Sequence, residues 1–510
     1  MEVYSFSDIN LVATLSNSYT PENVIRQKRH FTYLYNYLGE QGLNAKTIVV
    51  EDAYISKDYL HDYASYYSLC FENYPKFCKR VHFFSSDFTL EQFKAAVLQN
   101  DNSSNHALWD GYLGFVVVKP IPVTVIGYTI LKTYNSGQDL EGRYFWGTKE
   151  YKVHLYGKLL RVRSLAFQEQ DHVLAACATT SIWTMLNKVI EGSHPLLRSP
   201  SQITKDADKT AQNGSRLFPN KGLSVQQICQ SILNSGLVSD VQEGKLKDEY
   251  TNIRHFGNSE LKQLLRAYSG IGIPIILIAH VPSNGWRIHA LTVSGFKQFI
   301  PESTETQPGD ISLLADHIEK IYVHDDQWGP FVRTEFLPDD GISTPWTDND
   351  KLNSKTYIGT AIISVYPKIR IAYQDIKAIV IGLNVLLSRF HKEAKVSVTW
   401  DIRILLSEDL KKEVRTSGLP EDEKLSLLTT SLPRYIWVAS CTLGKNRLVD
   451  YVFDATNIAD AMIGIKTVCY FPELKKVLLL CLTQSRQKLP EVFNHPLAER
   501  YADFFIESLQ

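Results

Sequence analysis

No two of the seven cysteines, at positions 70, 78, 177, 229, 441, 469 and 481, form a Cys-x-x-Cys pair, and an odd number cannot all pair within one chain. A disulfide framework is therefore not expected, and a reducing, cytoplasmic setting is the natural reading. Metal-ligand spacing is also missing. Cys70 and Cys78 stand too far apart for a zinc pair, and His154 and His172 form no His-Glu-x-x-His pattern. There is no GxxxxGK[ST] loop, and Gly111-Tyr112-Leu113-Gly114 precedes a strand pattern rather than a helix. These absences leave no expected cofactor or metal. The most apolar stretches, 271–279, 378–387 and 477–482, are far shorter than the ~20 residues that cross a bilayer. Met1-Glu2-Val3-Tyr4-Ser5 lacks the charged and apolar regions of a secretory signal, so no membrane partner is expected. Excess charge is absent too: 54 Lys+Arg against 55 Asp+Glu leave a net charge of −1, which excludes a uniformly basic nucleic-acid binder.

What is present is ordinary for a folded chain. Hydrophobic residues make up 44% and charged residues 21% of 510 positions, too apolar for disorder. The expected class is α+β, in three regions: an N-terminal α/β region over 1–164, a central domain over 165–370, and a C-terminal region over 371–510. In the first, a helix is expected around 22–38, tyrosine-rich helices around 54–67, a buried strand at 112–119, and one or two strands in 151–162. The central region reads as a helix at 177–190, a polar stretch at 192–223, helices at 224–235 and 260–269, and strands at 273–280, 288–295 and 318–324. Segment 297–315 reads as a surface insertion and a candidate lid. The last region opens with a helix at 376–390. Two strand pairs follow, 435–441 with 448–453 about a turn at Leu443-Gly444-Lys445-Asn446, and 467–470 with 477–481.

Three elements carry chemistry. In Phe167–Leu186 (FQEQDHVLAACATTSIWTML), Ala178, Ile182, Met185 and Val189 recur at helical spacing. Cys177 thus falls in the first turn, where unpaired N–H groups and the helix dipole favour an anion and hence a nucleophilic thiolate. The alternative is a small buried residue packed like the alanines beside it. The second element places His289 inside an apolar strand, with His280 close by. The third, Ile321-Tyr322-Val323-His324-Asp325-Asp326-Gln327-Trp328-Gly329-Pro330, ends a strand in two carboxylates, either of which can orient an imidazole.

Cysteine, histidine and acid in that order, the cysteine opening a helix and the other two on successive strands, resemble papain-like cysteine peptidases. The bacteriocin-processing (double-glycine-leader) peptidases and their relatives are the nearest branch. The resemblance spans about a third of the chain. It lies in Gln170, Cys177, Thr180-Ser181, His289-Ala290 with Val293 and Gly295-Phe296, and Tyr322-Val323-His324-Asp325. It implies a central domain whose cysteine helix packs on an antiparallel sheet bearing the histidine and the acid. It further implies a Cys177, His289, Asp325 triad with Gln170 in the oxyanion hole. Ala178 stands where relatives often have glycine. A Tyr-Val-x-Asp alignment selects Asp325, an acid-x-Trp-Gly alignment selects Asp326, and strand alternation allows only one of them to face the imidazole. The implied activity is a thiol peptidase or related acyl-transfer enzyme acting on a protein or peptide. Two alternatives stay open: a transglutaminase- or deamidase-type effector with the same triad, and a non-catalytic interaction protein that retains the fold.

Overall fold

The computed structural model describes residues 1–99, 106–134, 142–171, 173, 176–189, 198–207, 222–282, 285–301, 311–347, 355–394, 398–458, 462–486 and 498–510. Most of the 192–223 stretch and part of the 297–315 segment lie outside them. The architecture is mixed α+β, with strands β1 (Glu2–Ser5), β2 (Thr47–Tyr54), β3 (Cys78–Phe84), β4 (Tyr112–Val118), β5 (Ile126–Leu131), β6 (Arg143–Tyr144), β7 (Lys149–Leu155) and β8 (Lys158–Ser164). There follow β9 (Val238–Glu243), β10 (Leu246–Lys247), β11 (Arg254–His255), β12 (Ile275–Pro282), β13 (Trp286–Gln298), β14 (Ile318–Asp325), β15 (Gly329–Phe336), β16 (Ile342–Ser343) and β17 (Tyr357–Val365). The last four are β18 (Thr399–Leu406), β19 (Tyr435–Leu443), β20 (Asn446–Asp454) and β21 (Gly464–Cys469).

The chain divides into two compact units. The first comprises residues 1–256, 273–296 and 320–364; the second comprises 257–272, 297–319 and 365–510. Residues of the N-terminal and central regions therefore fall together in one unit. It holds an antiparallel five-stranded sheet in the order β1-β2-β3-β4-β5, and an eight-stranded sheet in the order β16-β15-β14-β13-β12-β17-β9 with β6 also on β13. β4 is buried along its whole length, which is why it reads as a continuous apolar run rather than an alternating one. Its core continues into the N-terminal helices through Leu11, Leu34 and Leu38, which cluster with Ile48, Val81 and Val116.

The 22–38 helix is two, Glu22–Arg26 and Arg29–Leu38, and the tyrosine-rich stretch folds into a helix at Lys57–Ser65 and a short 3-10 turn at Tyr67–Leu69. β7 and β8 form a hairpin. The helix Val225–Asn234 starts at Ser224, whose side chain and that of Gln227 make a reciprocal capping box.

In the second unit, β18-β19-β20-β21 form an antiparallel sheet. The turn expected at Leu443–Asn446 joins β19 to β20, with Gly444 at φ 56°. Helix Asn258–Ser269, read from sequence as part of the central domain, belongs here. Gly270 lets it approach β18 closely, because a Cβ there would stand 2.1 Å from the Ile404 carbonyl oxygen. Arg266 pairs with Asp401 through two hydrogen bonds of 2.9 and 2.7 Å.

Two expectations fail. The end of segment 297–315 is not a surface insertion: Leu313, Leu314 and Ala315 are buried, and Leu313 bridges Trp400 of β18. Burial of these apolar side chains holds 313–315 in the unit's core, so a lid does not include them; residues 302–310 of the segment lie outside the described residues. Second, 477–481 is not a strand but lies inside helix Pro472–Ser485. Pro472 opens that helix, Glu473 lies in its first turn, and a leucine run lacking β-branching beyond Val477 favours helix. No helix among the described residues is long and apolar enough to cross a membrane.

Candidate active site

Cys177 opens the helix Cys177–Val189 and is partly exposed, whereas every residue from Ala178 to Asn187 is buried. Thr180 N–H donates to the Ala176 carbonyl at the start of this helix (3.1 Å). The first-turn N–H groups of a helix have no acceptor one turn back within it, and Cys177 stands in that turn. The helix is held by the first unit's own parts. Trp183, fully buried, donates its indole N–H to Asp58 (3.1 Å), and the Ser181 carbonyl accepts from the Thr292 hydroxyl of β13 (3.3 Å).

His289 lies on β13, opposite Ala279 of β12, and is 2% exposed. Its Nε2–H donates to Asp325 Oδ1 at 2.9 Å. The Cys177 side chain acts on the same imidazole and raises its titration, and the Asp325 bond occupies Nε2 of that ring. Gly295 on the same strand has a packing role, because a Cβ there would stand 2.9 Å from the Tyr144 carbonyl oxygen and 2.7 Å from the Phe145 ring.

Asp325 is the last residue of β14 and is 1% exposed. Besides His289, it accepts from the Gln327 backbone N–H on Oδ1 (3.0 Å) and from the Trp346 indole N–H on Oδ2 (3.0 Å). Trp346 also sets its ring edge-on to His289, with centroids 5.5 Å apart. The expectation that only one acid faces the imidazole is corrected. Asp326 Oδ1 is 3.6 Å from His289 Nε2. Strand alternation no longer applies there, because the backbone turns after Asp325, with Trp328 N–H bonded to the Asp325 carbonyl (2.9 Å). Asp325 is hydrogen-bonded to the ring, whereas both Asp326 oxygens are buried with no hydrogen-bond partner.

The electrostatics follow from that arrangement. Burial pulls the His289 imidazolium down. The charge and hydrogen bond of Asp325, the hydrogen bond with Cys177 and the charge of Asp326 outweigh it, so the ring titrates well above its ordinary 6.5. Burial raises Asp325, but the His289 charge and the hydrogen bonds from His289, Gln327 and Trp346 bring it below the usual carboxylate value. Asp326 is pushed up to about 7, by burial first, with the charge of Asp325 adding to it against the pull of His289. Two carboxylates beside one imidazolium cannot both ionise at low cost, and the one with donors keeps the charge.

The N-terminal helix Arg29–Leu38 builds the outer wall. The Arg29 guanidinium lies over Trp328 and Trp346, at 5.2 and 4.8 Å from the ring centroids. His30 Nε2 donates to the Asp326 carbonyl (2.8 Å), and Tyr33 donates to the Pro330 carbonyl (2.6 Å). Gly329 is required where Tyr33 passes, since a Cβ would meet its ring at 2.2 and 2.4 Å. Lys28 pairs with Glu169, the residue before Gln170. Nothing in the sequence near Arg29, His30 or Trp346 signals this role; they meet the acid turn only in three dimensions.

Gln170 is half-buried in the segment leading to the cysteine helix, and its side chain has no hydrogen bond among the described residues. His324, the variable residue of Tyr-Val-x-Asp, bonds the Leu165 carbonyl through Nε2 (3.2 Å) and packs on Phe331. Burial pushes it down to about 3, so it is a neutral core histidine. His280 packs beside Gly359 of β17.

An imidazole hydrogen-bonded to a buried carboxylate and influenced by a cysteine at a helix N-terminus is an arrangement able to generate a nucleophilic thiolate. Comparison with protein-family models and with curated proteins finds no match for this chain.

Proposed function

We propose that the chain is a cysteine-dependent peptidase, or a related acyl-transfer enzyme, with a papain-like arrangement of its site. The reading rests on one observation: His289, whose titration the Cys177 side chain raises, is held through Nε2 at 2.9 Å by the buried carboxylate of Asp325. In this mechanism the Cys177 thiolate attacks a carbonyl carbon of a protein or peptide and forms a thioester. His289 takes the thiol proton and passes it to the leaving amine. Asp325 holds the ring so that Nδ1 faces sulfur and stabilises the imidazolium. The backbone N–H groups of the first helical turn, together with the Gln170 amide, receive the oxyanion; such a donor is worth about 3 kcal/mol of barrier. Water, or a second amine, then resolves the thioester, so hydrolysis, transamidation and deamidation share the first half of the reaction.

Competitive labelling with iodoacetamide at neutral pH, read by mass spectrometry, tests the reading. Cys177 is expected to react first. Cys78 and Cys469 are expected to lag, since burial pushes each thiol up to about 12, and burial raises Cys441 as well. His289→Ala is expected to slow Cys177 alone. If Cys177 reacts no faster than the other six and His289→Ala changes nothing, the thiol chemistry is wrong.

A further inference from the structure

Asp326 is the anomaly of the site. The residue is 4% exposed, and neither carboxyl oxygen has a hydrogen-bond partner among the described residues, an unfavourable state for a buried polar group. A Cys-His-Asp relay does not need it, since Asp325 already holds the ring. Its Oδ1 nevertheless lies 3.6 Å from Nε2, on the nitrogen that Asp325 Oδ1 approaches at 2.9 Å. One ligand atom from each of His289, Asp325 and Asp326 lies within 4.8 Å of the others, and all three residues are buried.

We propose that His289 Nε2, Asp325 and Asp326 form a binding site for a divalent zinc ion. Zinc bonds of about 2.0–2.2 Å to nitrogen and oxygen set neighbouring tetrahedral ligands about 3.3–3.6 Å apart. The two edges at Nε2, 2.9 and 3.6 Å, bracket the lower end of that range, and all three ligand atoms lie within 4.8 Å of one another. One nitrogen and two carboxylates are a donor set suited to zinc, whereas magnesium demands six-coordinate oxygen geometry. Outer partners are also in place: the Trp346 indole N–H on Asp325 Oδ2 and the Gln327 N–H on Oδ1 orient that carboxylate as second-shell donors do in metal sites. Zinc displaces the Nε2 proton and leaves the remaining ring proton on Nδ1, facing Cys177. The ring then cannot accept the thiol proton or carry it to a leaving amine, so zinc binding switches the relay off. The ion site stands on geometry alone; its inhibitory consequence rests on the thiol reading above.

Isothermal titration of the full chain with zinc chloride tests the proposal. One tight site per chain is expected, weakened tenfold or more by Asp326→Asn and by His289→Ala and changed less than threefold by Cys177→Ala. Cobalt(II) provides a readout on the unmutated chain, independent of whether the variants fold: four-coordinate visible bands without a thiolate-to-metal charge-transfer band. Unchanged affinity in Asp326→Asn, a cobalt–thiolate band, or no tight site in the unmutated chain overturns the proposal. Iodoacetamide labelling in metal-free buffer reads Cys177 separately, so the ion site and the thiol chemistry fail independently.

Discussion

Trp346→Phe is the most informative substitution at this site. The change keeps an aromatic ring beside His289 and under Arg29 but removes the indole N–H that Asp325 Oδ2 accepts at 3.0 Å. Asp325 is 1% exposed, so water does not readily replace the donor. Its carboxylate then keeps two of three donors, His289 Nε2–H and Gln327 N–H. A hydrogen bond to a charged group contributes about 1.5–3 kcal/mol, equivalent to roughly 1–2 pH units in the ionisation of Asp325. A weaker carboxylate holds the imidazolium less firmly, and the imidazolium in turn stabilises the Cys177 thiolate. If half the effect passes along the chain, Cys177 labelling slows by about three- to tenfold below the plateau of its pH profile. The assay is the rate of iodoacetamide alkylation of Cys177 across pH 4–9, read by peptide mass spectrometry. A Trp346→Phe profile superimposable on that of the unmutated chain, while His289→Ala shifts it, refutes the coupling of Trp346 to the thiol through Asp325.

Two further predictions concern stability. Burial pushes Asp62 up to about 7 from 3.8, so the folded state binds a proton that the unfolded chain releases, and stability falls as pH rises from about 4 to 7. Asp62→Asn keeps an acceptor for the Ser201 N–H (3.3 Å) and is expected to flatten that slope in thermal melts; an unchanged slope counts against the buried carboxylate as its source. Gly329→Ala places a methyl group 2.2 Å from the Tyr33 ring. It is expected to cost about 1–3 kcal/mol as overpacking, partly recovered in the Gly329→Ala, Tyr33→Ala double variant, and a loss that is not recovered points away from this contact.

Local patterns carried the sequence a long way. The apolar period after Cys177 placed it at a helix start, and the apolar run around His289 read as a strand. Each depends on residues a few positions apart, so backbone periodicity alone encodes it. The same reasoning misread 477–481, where leucine density served a helix as well as a strand, and 311–315, where burial comes from residues almost a hundred positions away. It also treated Asp325 and Asp326 as alternating, although the strand ends between them.

Sequence by itself determined which residues have the chemistry and which begin a helix or end a strand, because these properties are local. Tertiary structure alone decided that Arg29, His30 and Trp346 wall the acid turn, that Trp346 supplies a donor to Asp325, and that Asp326 is buried without one. Hydrogen bonds and desolvation depend on what folds against a group, and Trp346 and His30 lie 21 and 296 residues from the aspartates they bond. No spacing rule along a polymer encodes a meeting of that kind; only the packed core does.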